Sequence, residues 1–156
     1  MKRLLRLQSL LLREMEHYEL LVPERDKFMD WERVHMSSCA RIGYLLAESR
    51  GVDPDLASFA CAVHDYGRIV TGRQKGHAEA GYEPCREFLE RSRLFTGEEI
   101  KQIVLAVKNH SKKSEVGSAL EEIVKDADVI DFYQYGFSFS REEQEERLKR
   151  LLPIRL

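Results

Sequence analysis

Six residues in this chain have the type and the placement to hold metal ions: His35, His64, Asp65, His77, His110 and Asp128. His35 shares a helical stripe with Ser38, Cys39, Ile42 and Leu46. His110 follows Ile103 and Val107 at helical spacing, and Asp128 follows Leu120 and Val124. All three therefore point toward a core. His64 and Asp65 close an almost wholly apolar run, and His77 opens the next helical segment. A single inward histidine needs only a hydrogen bond to be satisfied. An inward carboxylate without a partner costs several kcal/mol, so Asp128 demands a cation or a network of donors. One shared cation site would satisfy all six groups together. Imidazole nitrogens and carboxylate oxygens without thiolate suit iron, manganese or another divalent ion, and leave positions open for water and substrate. Six ligands are too many for one tetrahedral ion with an open position. They suit two ions sharing a bridging carboxylate, the arrangement used to cleave phosphoesters and phosphoanhydrides.

The elements that must position these residues read as helices throughout, with no convincing strand. Leu4, Leu7, Leu11, Met15 and Tyr18 form one stripe of a helix over Lys2 to Leu20. A second helix runs from about Asp30 to Arg50 and closes at Gly51. Asp53 caps a third, which Pro54 opens and which ends at His64-Asp65. Three glycines and a basic scatter predict a loop from Gly67 to Gly76, followed by a fourth helix from His77 to about Arg93. Capping boxes at Thr96 to Glu99, Ser118 to Glu121 and Ser140 to Glu143 predict three more helices, the last two over Ala119 to Gln134 and Arg141 to Leu152. The expectation is an all-α bundle of six to seven helices in a single domain over 1–156. It comprises a basic N-terminal helix (1–22), a metal-binding core (30–136) and a C-terminal helix (140–156).

The order His35, His64-Asp65, His77, His110, Asp128 resembles the HD-domain superfamily of metal-dependent phosphohydrolases, in its six-ligand version. The local phrases Ala62-Val63-His64-Asp65-Tyr66-Gly67-Arg68, Gly76-His77-Ala78-Glu79-Ala80-Gly81, Asn109-His110-Ser111 and Asp126-Ala127-Asp128 are similar to that family's segments. The resemblance covers about Asp30 to Gly136. It implies that Asp65 bridges two metals, with His35, His64 and Asp128 on one and His77 and His110 on the other, and that a metal-bound hydroxide attacks phosphorus. Arg68 stands where the family often carries a lysine and is expected either as a phosphate clamp beside the catalytic Asp65 or as a solvated loop residue. Lys108 and Lys112 are expected at an electropositive mouth for substrate, and Lys113 as ordinary helix-end chemistry. Asp131, one turn beyond Asp128, is expected to orient a ligand, Asp126 to be exposed, and His17 to lie on the surface. Gly81-Tyr82-Glu83-Pro84 is similar to a cyclic-dinucleotide phosphodiesterase signature. Ser111 rather than a second histidine follows His110, so that activity is not expected.

Composition narrows the partners. The 156 residues carry 25 basic and 27 acidic groups, a net charge of -2, which argues against a protein devoted to bulk nucleic-acid binding. Lys2, Arg3, Arg6 and Arg13 precede the first acid, leaving 21 basic residues against 27 acidic ones beyond them. The N-terminal helix could therefore touch anionic lipid or a partner, but packing on the bundle or across a homodimer is favoured. Cys39, Cys61 and Cys85 form no C-x-x-C pair, which fits a reducing cytoplasm. Arg6, Gln8 and Arg13 interrupt the N-terminal leucines, so neither a signal peptide nor a membrane span is expected. The functional expectation is hydrolysis of a phosphate ester or anhydride of a nucleotide, a dinucleoside polyphosphate being a reasonable first substrate. Two alternatives remain at this stage. One is a di-iron oxygenase with the same ligand set, and the other a non-catalytic nucleotide-binding regulatory domain.

Overall fold

A computed structural model describes residues 2–152, all of them in helices or connecting turns. Seven helices have ten or more residues: α1 (Lys2–Leu21), α2 (Met29–Arg50), α3 (Pro54–Val63), α6 (Tyr82–Ser92), α7 (Gly97–Asn109), α8 (Ala119–Gln134) and α9 (Glu142–Leu151). Two short ones, α4 (Tyr66–Thr71) and α5 (His77–Ala80), lie between α3 and α6. The all-α expectation holds among the described residues. α2 packs along α3 and α8, α7 closes against α3, α6 and α8, and α1 covers α2, α3 and α4.

The core is one apolar cluster running from Leu7 to Ala127. Leu7, Leu11 and Met15 of α1 are fully buried in it, with Leu4 and Tyr18 packed at its edge. Each such side chain contributes about 1.5–3 kcal/mol by leaving water. α1 is therefore bound to the bundle by its leucine stripe. Arg3 serves the same end: it donates twice to Glu99 at 2.9 Å and sits 4.9 Å from the centroids of both Phe59 and Phe95.

The helix ends follow local chemistry. Asp53 accepts from the amides of Asp55 and Leu56 at the head of α3, and Gly51 ends α2 in the left-handed region at φ 67°. The capping boxes at Thr96 and Ser118 both form. The one expected at Ser140 does not. α9 begins a residue later with extended Arg141 as its cap, the Arg141 guanidinium goes to the Ser111 carbonyl, and Ser140 faces a cavity.

Two expectations around Gly67 need correction. The segment taken as a loop contains α4, because Gly67 is required for close packing and does not break the chain. A Cβ there would lie 1.9 Å from the His77 carbonyl oxygen and 2.8 Å from the Gly81 nitrogen. The same approach divides the expected fourth helix at Gly81 into α5 and α6. The result brings the backbone of His77 against the turn that carries His64 and Asp65.

Candidate metal centre

Each of the four histidines is oriented through its Nδ1 atom, and the partner depends on where in a helix the residue sits. His64 and His110 stand just past the last turns of α3 and α7, where backbone carbonyls have no helical partner. Their Nδ1 atoms meet the carbonyls three residues back, Cys61 O and Val107 O, both at 2.7 Å. His77 makes the same 2.7 Å contact to Gln74 O in the turn before α5. His35 lies in the middle of α2, where the carbonyls are already engaged. Its Nδ1 instead meets Asp131 Oδ2 of α8 at 2.5 Å. A carbonyl can only accept, so three of the rings carry hydrogen on Nδ1 and present Nε2 as a bare donor atom.

The Nε2 atoms converge in pairs, His35 with His64 at 3.1 Å and His77 with His110 at 2.9 Å. Asp65, in the turn between α3 and α4, lies between the pairs. Its Oδ2 is 3.1 Å from each of His35 and His64, and its Oδ1 is 3.0 Å from His77 and 3.4 Å from His110. Asp128 adds Oδ1 to the first pair, at 3.4 Å from His35 and 3.6 Å from His64. The donor atoms of His35, His64, Asp65 and Asp128 fall within 4.8 Å of one another, as do those of Asp65, His77 and His110. The structure brings all six residues together in two groups with Asp65 common to both.

Electrostatics fit a cation at this place. Burial alone would depress His35, but its contacts with Asp128, Asp131 and Asp65 hold its pKa well above the usual histidine range. His64 is likewise raised against burial, chiefly by the Asp65 charge. These carboxylates draw positive charge onto whatever lies between them. His110 goes the other way: burial, with His64 and His77 nearby, lowers it to about 3, leaving a neutral ring with a free lone pair. Asp65 and Asp128 are held well below the carboxylate range despite burial, Asp65 by Arg68 and His64 and Asp128 by Lys113 and the two nearest histidines. Imidazoles facing ionised carboxylates at contact distance form a donor set for divalent metal, which would take the place of the protons that His35 and His64 otherwise hold. Cys39 also lies within 4.8 Å of the His35 and His64 donors. Burial and contact with Cys61 push its thiol well up, which favours the protonated form over a thiolate ligand.

The residues behind the six convergent side chains are less visible in the sequence. Lys113, expected to be an ordinary helix-end lysine, is only 1% exposed, with its Nζ 2.5 Å from Asp128 Oδ2. Asp126, expected on the surface, is buried between Arg50 and Arg147 at 2.7 Å from each. Arg147 of α9 also donates twice to the Lys113 carbonyl, at 3.2 and 2.7 Å, fixing the turn after His110. Glu32, one turn before His35 on the same face of α2, is buried against Arg68 and is not among the expected site residues, although its spacing from His35 is a usable signal.

The centre opens into a cavity of about 500 Å³. Arg68 lines it but is only 8% exposed, and its guanidinium already meets Asp65, Glu32 and Gln74. Lys108 and Lys112 do not line it. Lys108 lies 5.3 Å from the Tyr82 ring centroid, and Lys112 is 4.0 Å from Glu115. The cations on the wall, besides Arg68, are Lys27, Lys75 and Arg141. His17 is exposed on α1, and no helix among the described residues is long and apolar enough to cross a membrane.

Comparison with known proteins agrees with this geometry. A family model described as HD domain matches residues 34–133, a stretch that contains all six convergent residues. Ribonuclease Y of Acetivibrio thermocellus is 30% identical over 118 residues, 75% of this chain and 20% of that protein. Ribonuclease Y of Cutibacterium acnes is 29% identical over 119 residues, with the same coverage of each. The chain thus spans about a fifth of the length of these curated relatives. No solved structure matches it.

Proposed function

Since the chain belongs to the HD-domain family of metal-dependent phosphohydrolases, we propose that it hydrolyses a phosphate ester or anhydride of a nucleotide at the centre described above. The observation that carries this reading is the division of Asp65, whose two carboxylate oxygens each serve a different histidine pair. His35, His64, Asp128 and Asp65 Oδ2 would hold one divalent ion, and His77, His110 and Asp65 Oδ1 a second. Iron or manganese suits the imidazole and carboxylate donors. When bound, such ions supply charge stabilisation at a phosphoryl oxygen and a water acidic enough to act as nucleophile near neutral pH.

The chain's own residues prepare the site. Asp131 fixes the His35 ring, and Lys113 holds one oxygen of Asp128 so that the other faces His35 and His64. Arg68 keeps Asp65 ionised while itself matched by Glu32. It orients the bridging carboxylate, and the wall cations Lys27, Lys75 and Arg141 are better placed to meet substrate charge. The two relatives are named as ribonucleases, which supports a nucleotide over other phosphate compounds.

Protein purified without chelator, assayed for metal content and for anaerobic phosphate release from adenine nucleotides and p-nitrophenyl phosphate, tests this. About two divalent ions per chain and turnover without dioxygen are expected. Dioxygen consumption with no phosphate release would replace the hydrolase by an oxygenase, and no metal after reconstitution would sink the centre itself.

A further inference from the structure

We propose that the rim of the cavity is a second anion subsite, formed by Lys27, Lys75 and Arg141, which holds a further phosphate of a substrate whose scissile phosphate lies on the histidine and aspartate floor. The ligand class is a small nucleotide carrying two or more phosphate groups. This rests on the hydrolase reading and narrows its substrate.

The three cations come from three separate parts of the chain: the turn before α2, the turn before α5 and the head of α9. In a chain with more acids than bases, the wall has no carboxylate besides Asp65 and Asp128, which belong to the floor. Neither Lys27 nor Lys75 forms an ion pair among the described residues. Their charge is free for a ligand. Arg68, by contrast, is matched by Asp65 and Glu32 and leaves the rim to the others.

Two of the three are held in place by the fold, and for Lys27 the holding groups do not neutralise it. Lys27 Nζ stands 5.7 and 5.5 Å from the ring centroids of Phe132 and Phe137. Those rings are stacked on each other at 4.8 Å and braced edge-on by Trp31. An aromatic seat orients an ammonium group and keeps its full charge. Arg141 donates to the carbonyl of Ser111, next to His110, at 2.9 Å and pairs with Glu143 at 3.3 Å, so it is positioned but partly compensated. Cations positioned before binding lower the ordering cost that a flexible rim would impose.

Size and charge point the same way. A cavity of about 500 Å³ lies in the ~300–1,000 Å³ range that encloses a drug-sized ligand. A single phosphate would fill a small part of it and would be matched by the floor alone. Lys27 and Arg141 also lie outside the 34–133 family match, so the subsite is built largely by this chain's own flanks on a shared centre.

Calorimetric titration of the full-length, metal-reconstituted protein with AMP and with α,β-methylene-ADP tests the subsite, alongside phosphate release from p-nitrophenyl phosphate. The analogue should bind at least ten-fold tighter than AMP. Lys75→Ala and Arg141→Ala should each remove most of that difference while lowering AMP affinity less than three-fold, with circular dichroism confirming folded variants. If either variant fails to fold, Lys75→Gln and Lys27→Gln carry the same expectation. Equal affinity for the two ligands in a protein that hydrolyses p-nitrophenyl phosphate would overturn the subsite and leave the hydrolase reading intact. A preference for the analogue that depends on Lys75 but comes without phosphate release from p-nitrophenyl phosphate or from adenine nucleotides would uphold the subsite and overturn the hydrolase. Tighter binding of a short single-stranded RNA, lost in the same variants, would overturn the assignment to a small molecule.

Discussion

Lys113 Nζ lies 2.5 Å from Asp128 Oδ2 in a position where the lysine is 1% exposed, so a candidate metal ligand has its second oxygen occupied by a buried ammonium. Removing one member of a buried pair leaves the other charged and uncompensated, a cost on the order of 3 kcal/mol. Lys113→Met should therefore lower stability by about that amount in chemical denaturation. It should also free Asp128 to turn, weakening the ion at His35 and His64 about ten-fold or more in chelator competition. A variant with wild-type metal affinity would show that the pair serves folding alone.

Asp131 is the partner that orients His35. Asp131→Asn can still accept from Nδ1 but brings no charge, and Asp131→Ala offers nothing. Metal affinity should fall in the order wild type, Asn, Ala, with a loss of about 10–100-fold for Ala. Absorption titration with cobalt(II), which reports the ligand field directly, measures this. Equal affinity of the three proteins would remove Asp131 from the site.

Gly67→Ala places a methyl group against the His77 backbone, where the nearest atom would be 1.9 Å away and cannot swing aside. The turn must shift, carrying His77 with it. A lowered thermal midpoint and a reduced metal count are expected, whereas Gly97→Ala, with open space around it, should leave metal content unchanged. Metal analysis of both variants decides the point.

Acid should unfasten α9. Glu122 accepts from Gly117, Arg147 and Lys125, and although burial opposes it these donors bring its carboxyl from 4.5 down to about 2. The folded protein thus favours the ionised form. The stabilisation is complete above about pH 4.5 and is lost as pH falls toward 2. Glu122→Gln should flatten that part of the acid limb in urea unfolding measured across pH, while parallel curves for the two proteins would contradict it. The size of the effect is tempered by the partial exposure of Glu122.

The convergent residues are more legible in the sequence than their supports, and for a physical reason. His35, His110 and Asp128 break apolar stripes, and a polar residue on an inward face is visible in one dimension. What fixes them is not. The partner of Asp128 sits 15 residues away in a turn, and that of His35 is 96 residues away on another helix. Lys113 reads as an ordinary helix-end lysine and Asp126 as a surface residue because charged side chains usually are, and only the packing of α9 shows them enclosed. Gly67 was taken for loop punctuation because spacing along a chain does not report how closely two backbones pass. The rim cations are hidden for a similar reason. Lys108 and Lys112 are neighbours of His110 in sequence, while Lys27, Lys75 and Arg141 share a cavity with it.

The carbonyls behind His64, His77 and His110 give the centre an uneven tolerance of substitution. Every residue type supplies a backbone oxygen, so exchanges at positions 61, 74 and 107 that preserve the local turn leave those three rings aimed as before. His35 alone depends on the identity of a side chain. Divergence among proteins built this way can therefore retune the His35 and His64 group through position 131 while the His77 and His110 group keeps its setting, and variation in any metal preference is most economically sought there.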